Sequence, residues 1–284
     1  MNAPIWSRLL YGFSRALSAL DIGQQIVRDE LLFAFLPPSQ RSGLTFDAYS
    51  RSRSYVVGGA YFLHGLWAWE AALLGDPRVP RSGRVLLPAA GGGRELQVLL
   101  ERGYEVFAFE PVYPLFESAR SVGVAAGSRA TVVQANYRDL VAKADGKPGP
   151  LDGLGGHFDL CLLGWGSLSH LTEPGAALEA LRAVRALAPD APVIVSFLLR
   201  IKGTPDVKGG ARKLRHGLRR VFKAIGAPEV PVGLRFGTSH GFCYEYSASE
   251  FIELSERAGY QVAVVSEHVY PHALLLPIPI SGGP

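Results

Sequence analysis

The chain has 284 residues, enough for one large domain or two small ones, and its 48% hydrophobic and 19% charged content is ordinary for a globular protein. That composition argues against extended disorder, and no apolar run approaches the roughly 18 residues of a membrane-spanning helix. The formal net charge of +4 conceals an asymmetry: residues 200–223 hold nine Lys/Arg against the single acid Asp206, so that segment is strongly basic and the rest of the chain is mildly acidic.

The N-terminus lacks the basic, apolar and small-residue order of a secretory signal, so a cytoplasmic location is expected. Cys161 and Cys243 have no CxxC spacing and no His/Cys cluster around them. They are expected to be buried thiols, and no metal site is expected.

In chain order, residues 4–36 place Trp6, Leu9, Leu10, Phe13, Leu17 and Leu20 at helical spacing before the break at Pro37-Pro38, which predicts two helices or one kinked helix. A second helical stretch is expected from Tyr49 to Leu74, and "GDPRVPRSG" reads as a loop. From Arg84 the pattern alternates. Strands are predicted at 84–88, 105–109, 131–134, 158–163, 192–197, 261–266 and 272–277, with helices at 94–102, 113–122, 174–187 and 248–258. This order predicts an α/β fold with a doubly wound, mostly parallel seven-stranded sheet. The five residues "EHVYP" are too few for a parallel crossover, so the last strand is expected to run antiparallel. The predicted organisation is an N-terminal helical lid over 1–80 and a Rossmann-like domain over 81–284, with a basic insertion at about 198–240.

The stretch "RVLLPAAGGGRELQ" passes from an apolar run through Gly91, Gly92 and Gly93 into an amphipathic segment. A strand that turns sharply into a helix presents free backbone N–H groups, and glycines let a ligand approach them. Glu110 ends the next strand, where a carboxylate can accept hydrogen bonds from the two hydroxyls of a ribose. A nicotinamide-dependent oxidoreductase shares these two features, but G-x-G-x-x-G wants a third small residue where Leu96 stands, and an antiparallel last strand fits that class poorly.

From about Tyr49 to Pro277 the chain resembles the class I, seven-stranded S-adenosylmethionine-dependent methyltransferases. The resemblance lies in the order of "VLLPAAGGG", "VFAFEP", "VVQANYRDL", "FDLCLLGWGSLSHL", "LRAVRALAPDAPVIVSF" and "SASEFIELSERAGYQVAVVSE". It implies S-adenosylmethionine as cofactor, with Ala89, Gly91, Gly93, Glu95, Glu110, Pro111, Asn136, Tyr137, Gly164 and Trp165 around it. Two positions depart from the family pattern. Leu87 replaces an acid, and Ala89 stands at the first motif glycine, so a non-catalytic cofactor-binding protein is a third reading. Glu95 has two readings, a partner for the cofactor's ammonium or a helix N-terminal acid. Asn136 takes the place of the adenine-side acid.

The expected reaction is methyl transfer to an oxygen or nitrogen of a small molecule, with lipophilic and acidic acceptors both in view, in which the enzyme aligns the acceptor and removes a proton where there is one. His170, just past a strand end, is the leading base candidate against the alternative of a packed histidine. His240 and Tyr244 in "TSHGFCYEYS" are candidates for the acceptor pocket, while Ser247 and Glu250 read as a capping box. Trp165 suits stacking or a buried wall. Arg51 and Arg53 suit an acidic acceptor or solvent, with solvent favoured.

The segment "ARKLRHGLRRVFKAIG" sets Leu214, Leu218, Val221, Phe222 and Ile225 on one helical face and arginines on the other. Such a helix at 210–225 contacts an anionic membrane peripherally, grips an acidic ligand, or is a solvated face packed on the domain. Nucleic acid is not an expected partner, because no binding module is recognisable and the aromatics are not interleaved with the charge.

Overall fold

The computed structural model describes residues 5–200, 210–268 and 270–279. Four helices precede the first strand: α1 (Ile5–Phe35), α2 (Pro38–Ser50), α3 (Ala60–His64) and α4 (Ala68–Leu74). Residues 5–35 thus form one helix. Pro37-Pro38 ends it, and Pro38 opens α2, where a missing backbone N–H costs nothing. The predicted helix over Tyr49 to Leu74 is replaced by three shorter pieces around an irregular segment at 51–59. The side chains of Trp6, Leu9, Leu10 and Leu17 lie outside the described residues.

The main sheet contains β1 (Arg84–Pro88), β2 (Glu105–Phe109), β3 (Ala130–Val133), β4 (Leu160–Leu163) and β5 (Val193–Ser196), all parallel. Between them run α5 (Arg94–Glu101), α6 (Tyr113–Ala125), α7 (Tyr137–Ala144) and α8 (Ala176–Leu187). The chain then forms β6 (Leu198–Leu199), α9 (Gly210–Ala224), β7 (Leu234–Gly237), β8 (Gly241–Tyr246), α10 (Ala248–Arg257), β9 (Tyr260–Ser266) and β10 (His272–Pro277). Strand order in the main sheet is β3-β2-β1-β4-β5-β10-β9, with β10 antiparallel to both neighbours, as the short connection requires.

Period-two alternation divides the core between the two faces of the sheet. Leu86, Phe107, Cys161, Leu163, Val193 and Val195 point to one face, against α8 and α10. Val85, Leu87, Val106, Leu160, Leu162 and Ile194 point to the other, against α4 and α5. Every residue of β4 and β5 is buried, as in a sheet covered by helices on both sides. Cys161 and Cys243 are free and buried.

The insertion has structure beyond that expected from the sequence. β6, β7 and β8 form a second sheet in the order β6-β8-β7, and β8 packs on α2 while α9 packs on α1. Phe33 of α1 meets Phe242 of β8 edge-on at 6.0 Å and shares a small core with Leu234. Residues 201–209 of the insertion lie outside the described residues. Helix α7 is a further element that the sequence patterns do not predict. It begins at a capping box, in which Asn136 Oδ1 accepts from the Arg138 N–H at 2.8 Å and Asp139 accepts from the Asn136 N–H at 2.8 Å.

Candidate active site

The carboxyl ends of β1, β2 and β4 open into a cavity of about 1260 Å³, whose far wall is built by α2 and the insertion. Ligand pockets commonly run to roughly 300–1,000 Å³, so this one holds two small molecules or one large one. Nine of the ten residues expected around the cofactor line it: Ala89, Gly91, Glu95, Glu110, Pro111, Asn136, Tyr137, Gly164 and Trp165. Gly93 does not. A Cβ there would stand 3.0 Å from the Ala119 Cα, so its smallness serves the packing of α5 on α6.

At the end of β1, Ala89 holds φ at 50° and Gly91 at 57°. The left-handed region costs an L-residue about 1–2 kcal/mol, so Ala89 keeps the glycine-like turn at an energetic cost where the family pattern has glycine. A Cβ on Gly91 would meet nothing within 4 Å, and its bare face therefore opens onto the cavity. The Glu110 carboxylate reaches back to this turn: Oε2 accepts from the Gly91 N–H at 2.8 Å and Oε1 from the Val112 N–H at 2.9 Å. Burial pushes the Glu110 carboxyl up to about 7, against the opposing pull of those two N–H groups.

Gly92 is governed by a different contact. A Cβ on it would fall 1.9 Å from the Tyr55 carbonyl oxygen, so the segment after α2 can sit on the turn only because residue 92 has no side chain. The Val57 N–H donates to Ser118 Oγ at 2.9 Å, and that hydroxyl donates to the Gly92 carbonyl at 2.8 Å.

A buried ion network closes the side of the cavity between β1 and β4. Arg94 donates to both carboxylate oxygens of Glu70, each at 2.6 Å, to the Gly65 carbonyl at 2.6 Å, and to Glu95. Glu70 also accepts from the Trp67 N–H at 2.7 Å. Burial raises Glu70 to about 7 despite its bonds to Arg94. Burial disfavours the Arg94 charge, but Glu95 and Glu70 together hold it above its ordinary value. The group carries two acids against one base. Glu95 is therefore more than a helix N-terminal acid, for its carboxylate lies where a Cβ on Gly164 would be, 2.6 Å away. No sequence pattern linked Glu70 to Arg94; helix α4 must fold back on the turn to bring them together.

Trp165 follows β4 with φ at 30° and packs among Tyr61 at 4.7 Å, Tyr55 at 5.4 Å and Trp67 at 5.5 Å between ring centroids. The Arg94 guanidinium lies 5.6 Å from its ring. Tyr137, buried, bonds Ser167 Oγ through its hydroxyl at 2.8 Å.

The base candidates separate. His170 lines the cavity but both ring nitrogens are engaged: Nδ1 bonds the Phe242 carbonyl at 2.8 Å and Nε2 the Tyr49 hydroxyl at 2.9 Å. The carbonyl can only accept, so Nδ1 carries the proton and Nε2 accepts from Tyr49. Burial pushes His170 down to about 4 and the Tyr49 phenol upward. A proton acceptor needs a free ring nitrogen, and in this structure His170 has both bonded, so it bridges α2, the turn after β4 and β8 as a neutral imidazole. Tyr244 does not line the cavity, since strand alternation turns Cys243 and Glu245 into it and Tyr244 away from it. His240 does line the cavity, half-buried, with Nδ1 3.1 Å from Ser239 Oγ. Burial lowers its pKa. Glu245 pairs with Arg235 at 3.0 Å. The Asn136 amide oxygen accepts from the Arg138 and Asp139 N–H groups in the α7 cap and is not free for adenine. Ser247 and Glu250 form the expected capping box, while Arg51, which pairs with Asp47, and Arg53 are exposed.

No family model and no curated protein matches the sequence. Solved structures do match the fold. They include 1,6-didemethyltoxoflavin-N1-methyltransferase from Burkholderia thailandensis, with bound 1,6-didemethyltoxoflavin and S-adenosylhomocysteine, at 19% identity over 98% of this chain and 94% of that one, TM-score 0.50. A SAM-dependent methyltransferase from Leishmania major matches at 14% identity over 87% of each chain, TM-score 0.53. The sugar N-methyltransferase KedS8 from a Streptoalloteichus species matches at 14% identity over 74% and 86%, TM-score 0.51. With its strand order and the reversed β10, the chain has the fold of the class I S-adenosylmethionine-dependent methyltransferases.

Proposed function

We propose that this protein is a methyltransferase that uses S-adenosylmethionine to methylate an oxygen or nitrogen of a small molecule. The observation that carries this reading is the junction of Gly91 and Glu110, a bare backbone turn and a buried carboxylate side by side at the mouth of a cavity large enough for cofactor and acceptor together. A carboxylate has about four acceptor positions, and Glu110 spends two on backbone, which leaves two for ribose hydroxyls. Glu95, over Gly164, is the group suited to an ammonium.

The cofactor supplies an electrophilic methyl on a sulfonium. The chain's part is to hold the acceptor lone pair in line with that methyl and to shield the pair from water. Tyr55, Tyr61 and Trp165 offer an aromatic wall for this purpose. Where the acceptor carries a proton, His240 is the side chain that takes it. It lines the cavity and is neutral at pH 7, whereas both nitrogens of His170 are occupied.

Titration calorimetry with S-adenosylmethionine, S-adenosylhomocysteine and NADPH in parallel tests the reading. Binding of the first two alone supports it. Binding of NADPH alone, or of none, rejects it.

A further inference from the structure

The pair of helices α1 and α9 carries a surface that plays no part in the cavity. On its inner side, Arg219 makes two bonds of 2.8 and 2.9 Å to the buried Glu30, and Arg215 lies 3.3 Å from the same carboxylate. Phe222 packs edge-on against Phe35 at 5.4 Å. These contacts fix which way α9 faces. Its outward arc bears Lys213, His216, Arg220 and Lys223, spaced three and four apart and all exposed. Beside that row stand Leu214, Val221 and Ile225, exposed at 39%, 58% and 64%. Helix α9 contains no acid. Along α1, Leu20, Val27, Leu31 and Phe35 also face outward, and with Leu214 they line a shallow apolar groove.

We propose that this α1–α9 surface seats the protein on an anionic lipid membrane. An apolar strip edged by cations matches the two layers of a lipid interface: side chains such as Leu31 and Val221 enter the acyl boundary, while Lys213, Arg220 and Lys223 remain among anionic headgroups. Among the described residues no helix is long and apolar enough to cross a membrane, so the contact is one of lying on the surface. The charge pattern favours this occupant over a second copy of the chain, because a twofold contact here would set the same three cations against their own images. Nucleic acid fits less well, since phosphates would face the apolar strip. The groove ends at Phe35 and Leu36, and Pro38, two residues on, lines the large cavity. A lipophilic acceptor would thus have a short path from bilayer to cavity, a consequence that rests on the methyl-transfer reading, whereas the membrane contact does not.

The test is co-sedimentation of the full chain with vesicles of phosphatidylcholine alone and of phosphatidylcholine mixed with phosphatidylglycerol, at low and high salt, with analytical ultracentrifugation in parallel. Expected is binding to the anionic vesicles only, weakened by salt. The exposed triple variant Lys213→Glu/Arg220→Glu/Lys223→Glu should reduce the partition coefficient by about a hundredfold. Leu31→Ser/Val221→Ser should weaken binding even at low salt, with the circular dichroism of both variants unchanged. The proposal is overturned if wild type does not sediment with anionic vesicles, if neutral vesicles bind it equally, or if the apolar variant instead dissolves a dimer.

Discussion

The Tyr49 hydroxyl donates to Nε2 of His170 across 2.9 Å, so helix α2 is tied to the turn after β4 by a bond between two neutral, partly buried side chains. Tyr49→Phe leaves that nitrogen without a donor, a loss of about 1–3 kcal/mol for a buried acceptor. Urea unfolding should show this loss. An unchanged midpoint would mean that α2 is held by packing alone.

The same histidine predicts a pH dependence. Its folded value near 4 lies below the ordinary 6.5, so the unfolded chain binds the extra proton first and stability falls as pH drops from about 6.5 toward 4. Glu110 and Glu70 act in the opposite sense. Both are raised to about 7 from 4.5, and their contribution is full below about 4.5 and lost as pH rises through 7. A His170→Gln variant isolates the first effect. Its stability relative to wild type should improve by about 2 kcal/mol between pH 7.5 and pH 5. A constant difference would show that His170 is not held neutral by the fold.

Ligand binding should follow Glu110. A ribose donates to the ionised carboxylate, so cofactor affinity should rise by up to about tenfold per pH unit as pH approaches 7 and level off above it. In Glu110→Gln, calorimetry should find weaker binding with a flat profile. Wild-type affinity in that variant would remove Glu110 from the site.

Adjacent glycines should respond differently to a methyl group. Gly91→Ala meets open space, so it should cost only about 1–2 kcal/mol for the left-handed backbone while obstructing the cofactor. Gly92→Ala would collide with the Tyr55 carbonyl, and faster hydrogen exchange at 52–58 should reveal a displaced segment after α2. Equal effects at both positions on that segment and on ligand binding would contradict this division.

Arg94→Met should be the most damaging of these changes. It strands Glu70 and Glu95 in the interior, and breaking a buried pair of this kind costs about 3–5 kcal/mol. Arg94→Met combined with Glu70→Gln should recover part of the loss, because one uncompensated charge is then gone. A double variant no better than the single would place the cost in packing instead.

Much of the fold follows from local signals. The apolar runs of β1, β2, β4 and β5, the glycine turn before α5 and the five-residue link to β10 each act over a few residues, and hydrophobic period and turn chemistry express them directly. Nine of the ten expected cofactor-side positions therefore line the cavity, because strand ends and the turns after them place those residues wherever the sheet forms. Shorter elements were less legible. Helix α7 hides behind a capping box, and β8, "GFCYEY", reads as a cluster of functional groups until strand alternation separates Cys243 and Glu245 from Tyr244.

What the sequence by itself determined was the order of strands and helices and the residues at the carboxyl ends of the central strands. Only the tertiary structure decided which of those residues retain chemistry. Glu70 meets Arg94 across 24 positions, and Tyr49 meets His170 across 121. Burial and hydrogen bonding at such distances set protonation, and they depend on which surfaces pack together. That packing engages both ring nitrogens of His170 and raises Glu110 to about 7.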